Sequence, residues 1–264
     1  MRKLSITTAW NETNAFVRRE ASLLLPIAFL LIAVPTAFFQ LVRAAAGADP
    51  EPGPWMLVAL PMAIITTIGS LAIAWLALRP GTSVSEALKM GARRVLPLLG
   101  AVLILMLAGI FIASLLLTLL SFAGEAGLVG ATAFILLLFG AIWVRLVLMT
   151  SIAVAERAGP VAIIRRSWAL TSGHFWHLLG FLLLIAILFI VVTVAISSVL
   201  GIFLSLAAGG RPQPGSLSSF IVLLIGAIIN GVVAIYFTSM VARIYAQLSG
   251  EDVASVFEDQ KSGI

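Results

Sequence analysis

Residues 179–201 read LGFLLLIAILFIVVTVAISSVLG, an unbroken run without a single charged side chain. A helix rises about 1.5 Å per residue and needs about 20 apolar residues to cross the hydrocarbon core of a bilayer. This run is long enough to do so. Five further stretches share the property, at 22–42, 56–78, 97–120, 128–150 and 218–240, and none of the six contains an acidic residue. The pattern predicts an all-α fold, a polytopic integral membrane protein with six transmembrane helices and one membrane domain over 1–264.

Composition agrees. The 264-residue chain is 61% hydrophobic and 10% charged, against about 25% charged in ordinary soluble domains. A mean hydropathy of +1.16 excludes disorder, which needs low hydrophobicity and high charge. There is no cysteine, so disulfides, thiolate metal sites and cysteine nucleophiles are excluded. The longest segment between spans is 28 residues, below the length of about 40 residues at which chains fold alone without a metal or disulfide. No separate soluble catalytic domain fits between the spans.

Short loops rich in Lys and Arg stay cytoplasmic. Arg43 and Arg211 fall on one side of the predicted bilayer, Arg145 lies within a span, and the other 13 of the 16 basic residues fall on the opposite side. Both termini are therefore expected in the cytoplasm, with hairpin loops at 43–55, 121–127 and 202–217 outside. The basic residues are spread over four juxtamembrane segments, which points to anionic lipid headgroups and away from nucleic acid. The first span is too long for a signal-peptide core, and a charged segment precedes it, so it is expected to be retained.

Gly81, Gly159 and Gly250 each follow an even-numbered span and open a further segment. The spacing predicts a threefold parallel repeat of one interfacial helix plus two spans, at 1–80, 81–158 and 159–249, with a cytoplasmic tail at 250–264. Parallel repeats differ from the inverted repeats of many secondary transporters. Val84, Leu88 and Val95 share a helical face opposite Glu86, Lys89 and Arg93, and Val161, Ile164 and Trp168 form a stripe beside Arg165 and Arg166. Helices of this kind lie in the membrane plane with the apolar face among acyl chains. Trp10, Trp75, Trp143, Trp168 and Trp176 fall near the cytoplasmic boundary and Trp55 near the outer one, as in an aromatic belt.

Residues 145–180 read RLVLMTSIAVAERAGPVAIIRRSWALTSGHFWHLLG. Within them Ala162, Arg166, Ser167, Trp168, Leu170, Thr171, Gly173, Phe175, Trp176 and Gly180 resemble the signature of the glycerophosphoryl diester phosphodiesterase membrane-domain family and of related bacterial six-span proteins. The Arg and Glu that precede the signature are matched by Arg145 and Glu156. The resemblance implies a bacterial inner-membrane location and, for the membrane part alone, no established activity. The hydrolase domain of that family has no counterpart in this chain.

His174 and His177 are three residues apart and could share a helical face, but the nearest acid in sequence is Glu156, so no metal site or cofactor is expected. Arg145 is the sole charge inside a span; near the inner interface it can snorkel to phosphates or meet another helix. In a straight helix Glu156 would lie about 16 Å further along, out of pairing range. Asn230, with Gly231 and Ala227 beside it, is expected to serve helix packing. Pro26, Pro35 and Pro61 predict kinks or locally opened backbone in spans 1 and 2.

Catalysis is not expected. The reading that follows is a non-enzymatic membrane organiser or accessory, binding anionic lipid through Arg145, Glu156, Arg165, Arg166, Trp168, Phe175 and Trp176, or meeting a protein partner or a second copy of the chain there. The alternative is a transporter or lipid mover; no span carries in sequence the buried acid, cation pair or broken helix that coupled transport usually needs, though a lipid mover could lack these.

Overall fold

A computed structural model describes residues 5–46, 53, 55–122, 124–208 and 217–250. The loop 209–215 with Arg211, and the tail beyond Gly250 with Lys261, lie outside the described residues. So do Arg2 and Lys3.

The described residues are helical, without strands, and contain six helical stretches long and apolar enough to cross a membrane. In order, α1 is Ile6–Ala28, a π-helical turn follows at Phe29–Ala33, and α2 is Val34–Ala45. Helix α3 is Met56–Leu78, α4 is Val84–Ser121, α5 is Gly124–Leu146 and α6 is Met149–Ala155. Helices α7, α8 and α9 are Pro160–Thr171, Phe175–Ala208 and Leu217–Ser249. An even number of helical stretches brings the start of α1 beside the end of α9. Ser5 N–H donates to Gln247 Oε1 (3.1 Å) and Gln247 Nε2 donates to the Ser5 carbonyl (3.4 Å).

The core sits in the half of the bundle that carries the start of α1 and the end of α9. Leu71 to Leu78 are all buried, so the last two turns of α3 are enclosed on every side. They pack against α1, α4, α6 and α9. Toward the other end the apolar side chains of α4, α5 and α8, among them Leu107, Phe111, Leu137, Leu184 and Val194, are exposed. In water that surface would be untenable; facing acyl chains it is the solvent-matched surface of a membrane protein.

Close helix approach is set by small residues, as expected where lipid removes the hydrophobic drive between helices. A Cβ on Gly91 of α4 would meet the Ile68 carbonyl oxygen of α3 at 2.8 Å. Gly69 of α3 and buried Gly231 of α9 flank the π turn; a Cβ on Gly69 would meet Leu31 Cβ at 2.8 Å, and one on Gly231 would lie 3.5 Å from the Ala28 oxygen. The π turn lies between Pro26 and Pro35. A proline cannot donate to the carbonyl four residues back, and the chain responds with a wide turn, the Val34 N–H reaching the Phe29 carbonyl. The opened backbone expected in span 1 is thus localised to five residues. Pro61 and Pro97 sit inside continuous helices.

Several expectations are corrected. The segment carrying Val84, Leu88 and Val95 is not a separate interfacial helix but the start of α4, which runs unbroken for 38 residues. Its Ser83 and Glu86 form a reciprocal capping box, and Ala87, Gly91, Val95, Leu98 and Ala101 bury one continuous stripe, so nothing ends the helix at the interface. The N-terminal segment likewise continues into the first span. Gly81 (φ 87°) and Gly250 (φ 78°) terminate helices in the left-handed conformation, but Gly159 has φ −81° and caps the start of α7. Trp75 is buried and not a belt anchor, with the Arg79 guanidinium 4.4 Å from its ring centroid. Arg243, counted from sequence among the loop cations, is buried within α9 with its guanidinium 5.4 Å from the Phe16 ring.

Candidate functional site: the corner between α5 and α8

The fourth span does not continue straight to Thr150. It breaks at Val147 and Leu148, and α6 restarts beyond. A broken helix leaves carbonyls to be satisfied, and here Ser167 Oγ (2.8 Å) and Thr171 Oγ1 (3.2 Å) of α7 donate to the Arg145 carbonyl. Ile163, Ser167 and Thr171 recur at four-residue spacing and are the buried face of α7. The helix therefore docks on protein through a stripe containing two hydroxyls, while Val161, Arg165, Arg166 and Trp168 remain exposed. Gly159 caps its start, Pro160 takes the first helical position, and Gly173 at φ 89° ends the segment before α8.

The Arg145 side chain folds back over this corner. Its Cζ lies 5.4 Å from the Trp168 ring centroid and 5.3 Å from that of Phe175, within cation–π range. Phe175 meets Trp176 edge to face, centroids 5.4 Å apart. Arg145 Nη1 and His174 Nδ1 are buried without a hydrogen-bond partner. The residue expected to snorkel is thus held by aromatic faces, with one donor unspent.

Glu156, at the end of α6, takes its cation from α7. Arg166 Nε donates to Glu156 Oε1 at 2.9 Å, and the buried Tyr245 hydroxyl of α9 donates to the same oxygen at 3.0 Å. The hydrogen bond to Glu156 raises the Arg166 pKa above the ordinary arginine value, against a smaller opposing effect of burial. Since Arg166 already spends charge on Glu156, Arg165 is the less committed of the two cations. Arg157 adds a third exposed cation at the same corner.

Arg145, Glu156, Arg165, Arg166, Trp168, Phe175 and Trp176 are therefore brought to one corner. Tyr245 was not singled out from sequence, and Ser167 and Thr171 were named there only within the family signature, without their role of bonding the Arg145 carbonyl. The i, i+4 hydroxyl pair on α7 was the legible signal for two of them; nothing in sequence linked Tyr245 to a residue 89 positions earlier. Among the described residues no group of three or more His, Asp or Glu could hold a metal ion.

Asn230 and Gly231 lie elsewhere and do different things. Gly231 packs against Ala28 and Ala33, as a packing glycine should. Asn230 lines a cleft of about 260 Å³ between α2, α8 and α9, together with Thr36, Gln40, Thr193 and Ser197. Its expected role as a packing residue is therefore incomplete.

The family described as a domain of unknown function (DUF7847) matches residues 4–248. No curated protein and no solved structure matches the chain.

Proposed function

The chain belongs to the DUF7847 family, and we propose that it is a non-enzymatic organiser of the bacterial inner membrane that binds anionic headgroups on the cytoplasmic side, at the corner of α7. The observation that carries this reading is the orientation of α7. Its hydroxyl stripe is spent on the Arg145 carbonyl, so the stripe of Val161 and Trp168 and the cations beside it are turned away from the protein. An apolar face flanked by cations is the arrangement that sits among acyl chains with phosphates alongside. Arg145, held over the Trp168 and Phe175 rings, braces the same corner from the protein side. The resemblance of residues 145–180 to the phosphodiesterase membrane domain, the parallel repeat and a cytoplasmic placement of both termini belong to this proposal. A lipid-moving role is the second reading, favoured by the polar cleft at Asn230 inside the span region.

Native mass spectrometry of the purified protein with phosphatidylglycerol tests the proposal. Arg165→Gln with Arg166→Gln removes two cations worth at most about 1 kcal/mol each near a membrane surface, Arg166 less because it is paired with Glu156, so the loss in retention is at most about thirtyfold. Lys89→Gln with Arg93→Gln should lose less, because that segment is the start of a span and carries Glu86 in its cap. Of the single variants, Arg165→Gln should cost more than Arg166→Gln. Equal losses for the two double variants at unchanged folding would overturn the assignment to α7.

A further inference from the structure

The cleft between α2, α8 and α9 has a chemistry distinct from that of the α7 corner. Thr36, Gln40, Thr193, Ser197 and Asn230 line it, with Phe189, Ile196, Val222 and other apolar residues between them. Among the described residues that line it, none is charged. Its level in the bundle follows from sequence positions. Gln40 precedes Arg43 by one turn at the end of the first span, and Asn230 is 13 residues into α9 from Leu217, about 20 Å at 1.5 Å per residue. The cleft therefore lies in the half of the bundle away from the termini, reaching inward from the interface at Gln40. The Thr193 hydroxyl is buried there without a hydrogen-bond partner.

Five hydrogen-bonding side chains from three helices are costly at this depth, where lipid offers their polar groups no water. Each hydroxyl both donates and accepts, and each amide carries two donors and an acceptor. Such a set fits a neutral group rich in ester carbonyls and hydroxyls. A phosphate is the poorer fit, since it would be taken out of water among uncharged lining side chains at the level of Thr193 and Asn230, with Arg43 only at the mouth beyond Gln40. The volume lies just below the range of about 300–1,000 Å³ typical of sites that enclose a drug-sized ligand. A headgroup-sized moiety fits; its acyl chains would have to leave into the bilayer. Exposed Phe38, Val194 and Phe220, close in sequence to the lining residues, offer apolar surface for them.

We propose that this cleft binds the glyceryl ester and hydroxyl region of an uncharged glycerolipid of the diacylglycerol class, with Asn230 and Gln40 as amide partners and Thr36, Thr193 and Ser197 as hydroxyl partners. The site is independent of the anionic corner at α7, and the two can fail separately.

The test uses the full chain in phosphatidylcholine nanodiscs with a diacylglycerol carrying a photoactivatable diazirine on its acyl chain, and in a parallel arm a phosphatidylglycerol carrying the same group. Peptides of α2, α8 and α9 around the cleft should be labelled by the diacylglycerol probe about tenfold more than by the phosphatidylglycerol probe, the ratio expected when one or two hydrogen bonds to a neutral group replace an unpaired buried charge. Asn230→Leu should remove most of that labelling. Thr193→Val, which conserves volume and removes an unsatisfied hydroxyl, should lower it by about threefold or more at unchanged thermal unfolding, and keeps the test valid if Asn230→Leu does not fold. Arg165→Gln with Arg166→Gln should leave it intact. Equal labelling by both probes, labelling spread evenly over lipid-exposed α4, or labelling insensitive to Thr193→Val would overturn the proposal.

Discussion

Tyr245→Phe removes a part-buried hydrogen bond that ties α9 to the α6–α7 corner. The Tyr245 ring is 1% exposed, and its hydroxyl lies 3.0 Å from Glu156 Oε1. A hydrogen bond to a charged group contributes about 1.5–3 kcal/mol. Two features place this one at the lower end. Glu156 keeps Arg166 after the substitution, and its side chain is 30% exposed, so solvent can take the vacated lone pair. Phenylalanine fills the same ring volume, which removes any large cavity contribution. The expected loss is about 1.5 kcal/mol, or about tenfold in the unfolding equilibrium. Arg166→Gln breaks a shorter contact, 2.9 Å, yet its side chain is 44% exposed, and exposed ion pairs contribute at most about 1 kcal/mol. Burial, not distance, should set the order. Unfolding of the solubilised protein in mixed micelles of increasing denaturing detergent measures both, and repeating Tyr245→Phe in a Glu156→Gln background measures their coupling. Arg166→Gln costing more than Tyr245→Phe, or an undiminished Tyr245→Phe effect without the carboxylate, would refute the reasoning.

Gly91→Ala should destabilise despite a helix-propensity gain of about 1 kcal/mol, because the new Cβ meets the fixed Ile68 carbonyl oxygen at 2.8 Å and overpacking costs about 1–3 kcal/mol; Gly130→Ala, with open space around it, should be neutral or stabilising in the same unfolding assay. Ser167→Ala combined with Thr171→Val should cost about 1–3 kcal/mol by stripping the hydroxyl donors from the Arg145 carbonyl, and amide exchange should rise around Val147 and Leu148. The raised Arg166 pKa means that its stabilisation is complete below the ordinary arginine value and is lost only as pH rises through the higher folded value, so the deficit of Arg166→Gln should not change between about pH 7 and 10. Reporter fusions at Glu125 and Gly159 should give opposite sides, with Gly159 cytoplasmic; the same side for both would sink the six-span topology.

The membrane class and the six spans were legible in the sequence because hydrophobic length is a local property: any run of about 20 apolar residues meets the same bilayer wherever it lies in the chain. Clustering at the α7 corner was legible in part, since Glu156 through Trp176 are neighbours in sequence. What joins them was not. Whether a segment such as 84–95 forms its own helix depends on what it packs against, and the continuous stripe from Ala87 to Ala101 against α3 carries α4 straight through the interface. Arg243 and Trp75 carry the same local signals as the exposed Arg165 and Trp176, yet enclosure by neighbouring helices buries the first two. The Tyr245–Glu156 bond and the cleft around Asn230 draw on residues far apart in sequence, and helical periodicity carries no information about which helices become neighbours. Local pattern therefore determined that the chain spans a membrane, and the long-range packing of α9 against the first half of the chain decided where its polar groups meet.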